Sequence, residues 1–296
     1  MKVVAVGGGH GAAVTLRAAK LYADEVAAVV TVADDGGSSG RLSRELGILP
    51  MGDIRNCIAA LAPPSEMVDL FQHRFPDGEL AGHVVGNLII TAITQMRGFT
   101  DAITEVSRML GSTGTVVPPT LDLVTLVSTI DGHEVVGQVA AANADGRIER
   151  VSLEPENPLA NGAAVDLLID ADQIVLGPGS LFTSVIPPLL VPDIAQAFKD
   201  SKAVKVYVCN LTAPPRWGIG ETAGFDACAH LEALYGHIRG ATVDVVVADR
   251  GGPGMVSVDV AQLEGMGVKV VVADLMPLPH TPRHDPVRLA KVLQDL

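Results

Sequence analysis

Apolar residues fall along this chain in short, valine-rich runs closed off by glycine or proline, at positions 3–6, 26–33, 174–177, 203–208, 243–248 and 268–273. Runs that are apolar at nearly every position suit strands covered on both faces, as in a parallel sheet. Between them, helical patterns occupy 12–22, 54–62, 84–96, 101–110, 163–169 and 223–238. This alternation predicts an α/β fold: a Rossmann-like, doubly wound, mostly parallel sheet with helices on both faces and ligands at the strands' carboxyl ends. One region breaks the rhythm. From 115 to 153 the segments alternate apolar and polar and meet at Asp131-Gly132 and Asp145-Gly146. Asp-Gly between alternating runs marks hairpins, so an inserted antiparallel meander is predicted, with a role as an oligomer contact. No linker divides the chain, which reads as one domain over 1–296. Near its end, Asp285 suits an N-cap and Pro286 the first position of a last helix.

Composition narrows the functional classes. Thirty-four acidic residues against 21 basic give a formal charge of −13, without a Lys/Arg cluster, which argues against nucleic acid as a partner. Cys57, Cys209 and Cys228 form neither a disulfide framework nor a zinc pattern and fit a reducing compartment. No stretch approaches the roughly 18 apolar residues of a membrane helix, and the first strand and turn do not read as a signal peptide. A cytoplasmic protein without a membrane span is expected. His10, His83, His230 and His284 lack zinc-ligand spacing, and neither a Gly-x-Ser-x-Gly elbow nor a Gly-x₄-Gly-Lys loop is present.

Candidate chemistry gathers where strands end. Gly7-Gly8-Gly9-His10-Gly11-Ala12 has the Gly-x-Gly-x-x-Gly/Ala spacing between a strand and a helix. It reads either as a phosphate cradle, with helix-start amides as donors, or as a tight turn with no ligand. The second strand runs into Asp34-Asp35-Gly36-Gly37-Ser38-Ser39-Gly40-Arg41. The paired carboxylates could hold Mg²⁺, orient a hydroxyl or bind a ribose, and the glycines, hydroxyls and arginine could form an anion nest. In Gly52-Asp53-Ile54-Arg55-Asn56, Asp53 reads most simply as an N-cap, with Arg55 and Asn56 in the first turn near a ligand. Asn87, inside an apolar helix, is expected to hydrogen-bond something specific. His83 is either a helix-start histidine or a ligand contact. Gly177-Pro178-Gly179-Ser180 repeats the logic of the first turn, and Asn210 ends the next strand. Asp226 and His230, four apart, could pair on one helix face.

At these residues the sequence becomes recognisable. GGGHG (7–11), TVADDGGSSGRL (31–42), PMGDIRN (50–56), LFQHRF (70–75), GHVVGN (82–87), VLGPGSLFTSVIP (175–187) and RHDP (283–286) resemble, in order, the motifs of the YvcK-type gluconeogenesis factor family. That family is related to the CofD-type 2-phospho-L-lactate transferases. The resemblance implies a Rossmann-like protein that binds a nucleotide sugar, UDP-N-acetylglucosamine, and takes part in regulating carbon metabolism, cell-wall synthesis and cell shape. By position, phosphates would meet Gly8, Gly9, Gly11 and the Gly179-Ser180 turn, and Arg283 would reach the nucleotide sugar. Asp34 and Asp35 match the acidic pair that transferase relatives use near acceptor and metal. Three departures stand out: His10 replaces a frequent Thr, Pro286 removes a phosphorylatable Thr, and 213–219, with the single tryptophan Trp217, lengthens a connection. The alternatives are an Mg²⁺-dependent transferase acting on a deazaflavin acceptor and, more distantly, an NAD-dependent oxidoreductase.

Overall fold

The computed structural model describes residues 1–212, 220–238, 240–252, 254–277 and 283–296; the 213–219 connection and Trp217 lie outside them. Among the described residues the strands are β1 (Lys2–Gly7), β2 (Glu25–Val30), β3 (Thr115–Val117), β4 (Thr125–Ile130), β5 (His133–Val136), β6 (Ile148–Glu154), β7 (Gln173–Leu176), β8 (Val204–Val208), β9 (Val245–Asp249) and β10 (Lys269–Ala273). The helices are α1 (Gly9–Ala19), α2 (Gly37–Leu46), α3 (Gly52–Leu61), α4 (Glu66–Gln72), α5 (Val85–Arg97), α6 (Phe99–Leu110), α7 (Gln138–Asn143), α8 (Gly162–Ile169), α9 (Pro192–Asp200), α10 (Ala227–His237), α11 (Val260–Gly265) and α12 (Pro286–Gln294).

Seven strands form one sheet in the order β10-β9-β8-β7-β1-β2-β3, with every neighbouring pair parallel. Successive β1 side chains serve opposite faces. Val4 and Val6 join a core with residues of α8, α9 and α10, while Val3 and Ala5 join a second core with α1, α3, α6 and α12. That two-sided burial is why the strands read as continuous apolar runs. From β1 the chain builds the sheet outward through β2 and β3, then returns to the other side of β1 with β7 and continues to β10. The β1/β7 junction is therefore the switch point where strand order reverses, and a crevice opens there at the carboxyl ends.

The inserted sheet differs from the predicted meander. Thr115–Val117 belongs to the large sheet, paired parallel with β2. The small antiparallel sheet is β5-β4-β6, so β5 and β6 are not neighbours. Asp131-Gly132 does make a two-residue hairpin, both φ positive (47° and 78°). Between β5 and β6, however, the chain forms α7, and Asp145-Gly146 only leads back into β6. Leu126, Ile130, Ile148, Val151 and Leu153 bury one face of this sheet on the α8–α10 core.

Other boundaries move for local reasons. β2 stops at Val30, and 31–33 continue as extended chain. The glycine–serine run at 37–40 is the first turn of α2, not a loop. α4 and α9, which the hydrophobic pattern did not announce, are short and begin at Ser65, an N-cap, and at Pro192. Asp53 is not the cap of α3: Met51 precedes that helix and Asp53 lies within its first turn. Asp226 caps α10 by accepting from Ala229 N at 2.7 Å, and His230 Nδ1 meets the Asp226 carbonyl at 2.7 Å, so the expected pairing runs through backbone. Asp285 and Pro286 start α12 as expected, Asp285 accepting from the amides of Val287 and Arg288. No helix among the described residues is long and apolar enough to cross a membrane.

Candidate functional site

Two glycine turns meet at the switch point. At the first, β1 closes with Gly7 accepting from Thr31 N (2.9 Å), and α1 starts at Gly9, whose φ is +60°. The second, Gly177–Gly179, lies directly against it. A Cβ on Gly11 would stand 1.8 Å from the Pro178 carbonyl oxygen, so the two backbones touch and only glycine fits. A Cβ on Gly8 would meet Asp53 Oδ2 at 2.4 Å. Thr15 Oγ1 donates to the Gly177 carbonyl (2.7 Å). Asn210 grips the Gly179 peptide at both ends, accepting from its N–H (3.0 Å) and donating to its C=O (2.9 Å). Its amide is thus committed to holding the turn.

A cleft with two lobes opens over these turns. The larger, about 600 Å³, is lined by residues including Val14, Arg17, Asn210, Leu211, Arg283 and His284. The smaller, about 330 Å³, is lined by residues including Gly8, Gly9, Asp34, Asp53 and Ser184. His10, Gly11, Gly179 and Ser180 line both, which puts the glycine turns at the junction. The lobes differ in charge. Arg17 and Arg283 bring two cations to the larger one, and two carboxyls face the smaller.

Those carboxyls strain against each other. Burial, and then the charge of Asp34, pushes Asp53 up to about 7, against the Gly9 amide and the Arg55 charge. Asp34 is also raised by burial and by Asp35, although its Oδ1 accepts from Gly36 N at 2.9 Å. Asp35 has a different job: its Oδ1 accepts from Val139 N at 2.9 Å, tying α7 of the insertion to the chain just before α2. Its own carbonyl accepts from Arg44 Nη1 (2.7 Å). Glu221, another carboxyl lining the larger lobe, is pushed by burial up to about 7, despite the nearby Thr183 hydroxyl and the amides of Leu181, Phe182 and Thr183.

The remaining predicted residues form a supporting layer between α2, α3 and α5 and line neither lobe. Ser38 Oγ accepts from Val84 N (3.3 Å) and Asn87 Nδ2 (3.1 Å) and lies 3.1 Å from His83 Nδ1. Ser39 Oγ accepts from Gly52 N (3.0 Å), supplying the cap α3 otherwise lacks. Gly36 and Gly37 start α2, so the run 36–40 makes no open anion nest, and its two hydroxyls are spent inside the protein. Arg41 donates to the Ala81 carbonyl (2.8 Å). Arg55 is buried and donates to Asn56 Oδ1 (2.7 Å), while its Nε and Nη1 lack partners among the described residues. Burial, then the Arg74 charge, lowers it to about 10, and the charge of Asp53 works the other way.

Among cleft residues, sequence reasoning missed Arg17, Asp53 as a lining carboxyl, and Glu221. Arg17 was legible: His10, Val14 and Arg17 are spaced 4 and 3 apart on one face of α1. Glu221 carried no such signal, because the irregular chain before it has no period. Among the described residues no cluster of three His, Cys, Asp or Glu forms a metal site.

Comparison with known proteins agrees over the whole fold. The family described as 2-phospho-L-lactate transferase CofD matches residues 3–276. The gluconeogenesis factor of Bacillus subtilis is 39% identical over 313 residues, covering all of this chain and 98% of that protein. A crystal structure of a UPF0052 family member from Bacillus halodurans superposes with a TM-score of 0.93 at 37% identity, over 99% of this chain and 98% of that one. With the sheet order, the paired glycine turns and this extent of likeness in hand, the chain belongs to the CofD family, in the branch of the gluconeogenesis factors.

Proposed function

We propose that this protein is a cytoplasmic, nucleotide-sugar-binding regulator of carbon metabolism, cell-wall synthesis and cell shape, with UDP-N-acetylglucosamine as its ligand and a homo-oligomeric assembly. One observation carries the reading: a backbone cradle, Gly8–Gly11 against Gly179-Ser180, divides a cationic lobe from an acidic one. A diphosphate at the junction would accept from helix-start amides. The nucleoside would fill the larger lobe beside Arg283, and sugar hydroxyls would donate to Asp34 and Asp53. Calorimetry tests this directly. UDP-N-acetylglucosamine is expected to bind and NAD not to, and no heat with any UDP-sugar overturns the reading.

A second reading, Mg²⁺-dependent transfer of a phospho-lactyl group to a deazaflavin alcohol, draws on the family's description and on the two facing carboxyls. Asp34 and Asp53 fit a magnesium ion better than Asp34 and Asp35, because their mutual repulsion would be relieved by a cation while Asp35 is engaged with α7. Bound there, the ion would offset charge on phosphoryl oxygens. A turnover assay with the deazaflavin acceptor separates the two readings: product lost in Asp34→Asn favours the transferase.

A further inference from the structure

The insertion reaches the cleft through one short helix. Of the described residues that line the lobes, only Gln138 and Ala142 come from it: Gln138 lines the smaller lobe and Ala142 the larger. They stand four apart on α7 and so share a face, which lies across the junction of the lobes. Six residues cannot hold a helix by themselves in water, where about 12 are marginal, so α7 keeps its shape through what it touches. Its first turn is seated closely on the chain at 34–36. Asp35 Oδ1 accepts from Val139 N (2.9 Å), a Cβ on Gly137 would stand 2.3 Å from Asp35 Oδ2, and a Cβ on Gly36 would stand 2.9 Å from Val139 Cγ2. Gly137 also has a φ of +101°, so this joint needs glycine on both sides. Farther along, Ala141 is buried, and α7 packs on the helical turn 181–185 that follows Ser180. The helix is thus anchored beside Asp34 of the smaller lobe at one end and beside the second glycine turn at the other. Val139, Ala140 and Asn143 face outward and are exposed.

We infer that α7 is a strap that fastens only over a ligand filling both lobes at once, so that the insertion registers the whole ligand and neither end alone. The inference rests on the nucleotide-sugar reading and adds to it the route by which occupancy reaches the β5-β4-β6 sheet. The Gln138 carboxamide brings both donors and an acceptor to the polar end of a ligand, and Ala142 brings a methyl group to the other end. Contact at one position leaves the rest of so short a helix free to fray; contact at both clamps a full turn. A ligand group that engages Asp34 also steadies Asp35, the next residue and the anchor of α7.

Hydrogen exchange on the full chain, followed at the amides of 139–143 with calorimetry reporting binding, tests it. UDP-N-acetylglucosamine is expected to slow exchange there at least about tenfold, whereas UDP, at a concentration that calorimetry shows to be saturating, slows it less than about twofold. In Gln138→Ala the slowing by the whole ligand should fall to the level that UDP gives. Equal slowing by UDP and by the whole ligand in the unaltered protein overturns the inference without needing any variant to fold. So does heat from UDP-N-acetylglucosamine with exchange over 139–143 unchanged, or slowing that survives in full in Gln138→Ala. Each of these leaves the nucleotide-sugar reading standing. Absence of heat with UDP-N-acetylglucosamine and with every other UDP-sugar overturns both.

Discussion

Single side chains in the cleft make separable contributions. Arg283 is an exposed cation on the larger lobe. If it contacts phosphate as a charge-assisted donor, Arg283→Ala will weaken ligand binding by about 1.5–3 kcal/mol. Unchanged affinity in calorimetry would remove it from the site. Asp53 governs a different observable. Its folded carboxyl titrates at about 7, above the ordinary carboxylate range of the unfolded chain. Between those values the folded state holds the extra proton. The contribution of Asp53 is therefore fully present at low pH and is lost as pH rises through about 7. Glu221 acts with the same sign. His284 acts with the opposite one, losing stability as pH falls from its unfolded value towards 4. The difference between unaltered protein and Asp53→Asn isolates the first group. In denaturant titrations the variant should match the parent below about pH 3.5 and become increasingly more stable than it up to about pH 8. A constant difference across that range would mean that Asp53 is ionised throughout.

At the scale of elements, fit between neighbours decides what each segment can tolerate. Gly11→Ala drives a methyl group into the Pro178 carbonyl, backbone against backbone. A cost of about 3 kcal/mol is expected, read as a lowered midpoint of unfolding, together with loss of ligand binding. Asp35, just before α2, ties α7 to the main fold by one bond from Val139 N. Asp35→Ala should therefore speed amide exchange over 138–143 and leave β1 unchanged, and unaltered exchange at Val139 would show that the bond holds nothing. The same fit explains what the sequence disclosed. Valine runs revealed the central strands because burial on both faces leaves no room for polar residues. The cradle was legible because close backbone approach demands glycine. Ser38 and Ser39 looked like ligand contacts because a hydroxyl in a glycine-rich run reads identically whether it caps a neighbouring helix or faces solvent. Only packing of α2 against α3 and α5 separates the two. β3 was absorbed into the insertion because three residues, one of them exposed, carry no period.

Across the whole molecule, the reversal of strand order sets where binding can happen. Turns that follow β1 and β7 must lie side by side at that junction, whatever their sequence. Their glycines then let a polar ligand approach the backbone. The site also draws on both ends of the chain, because α12 packs on α1 and Arg283 and His284 immediately precede α12. A ribosome delivers the chain from its first residue onwards. The glycine turns are thus made long before the wall that faces them, and the cleft exists only once both have folded together. Any ligand that spans the larger lobe would therefore find its walls in place only after 283–284 have settled beside α1, one of the first elements made and one of the last joined.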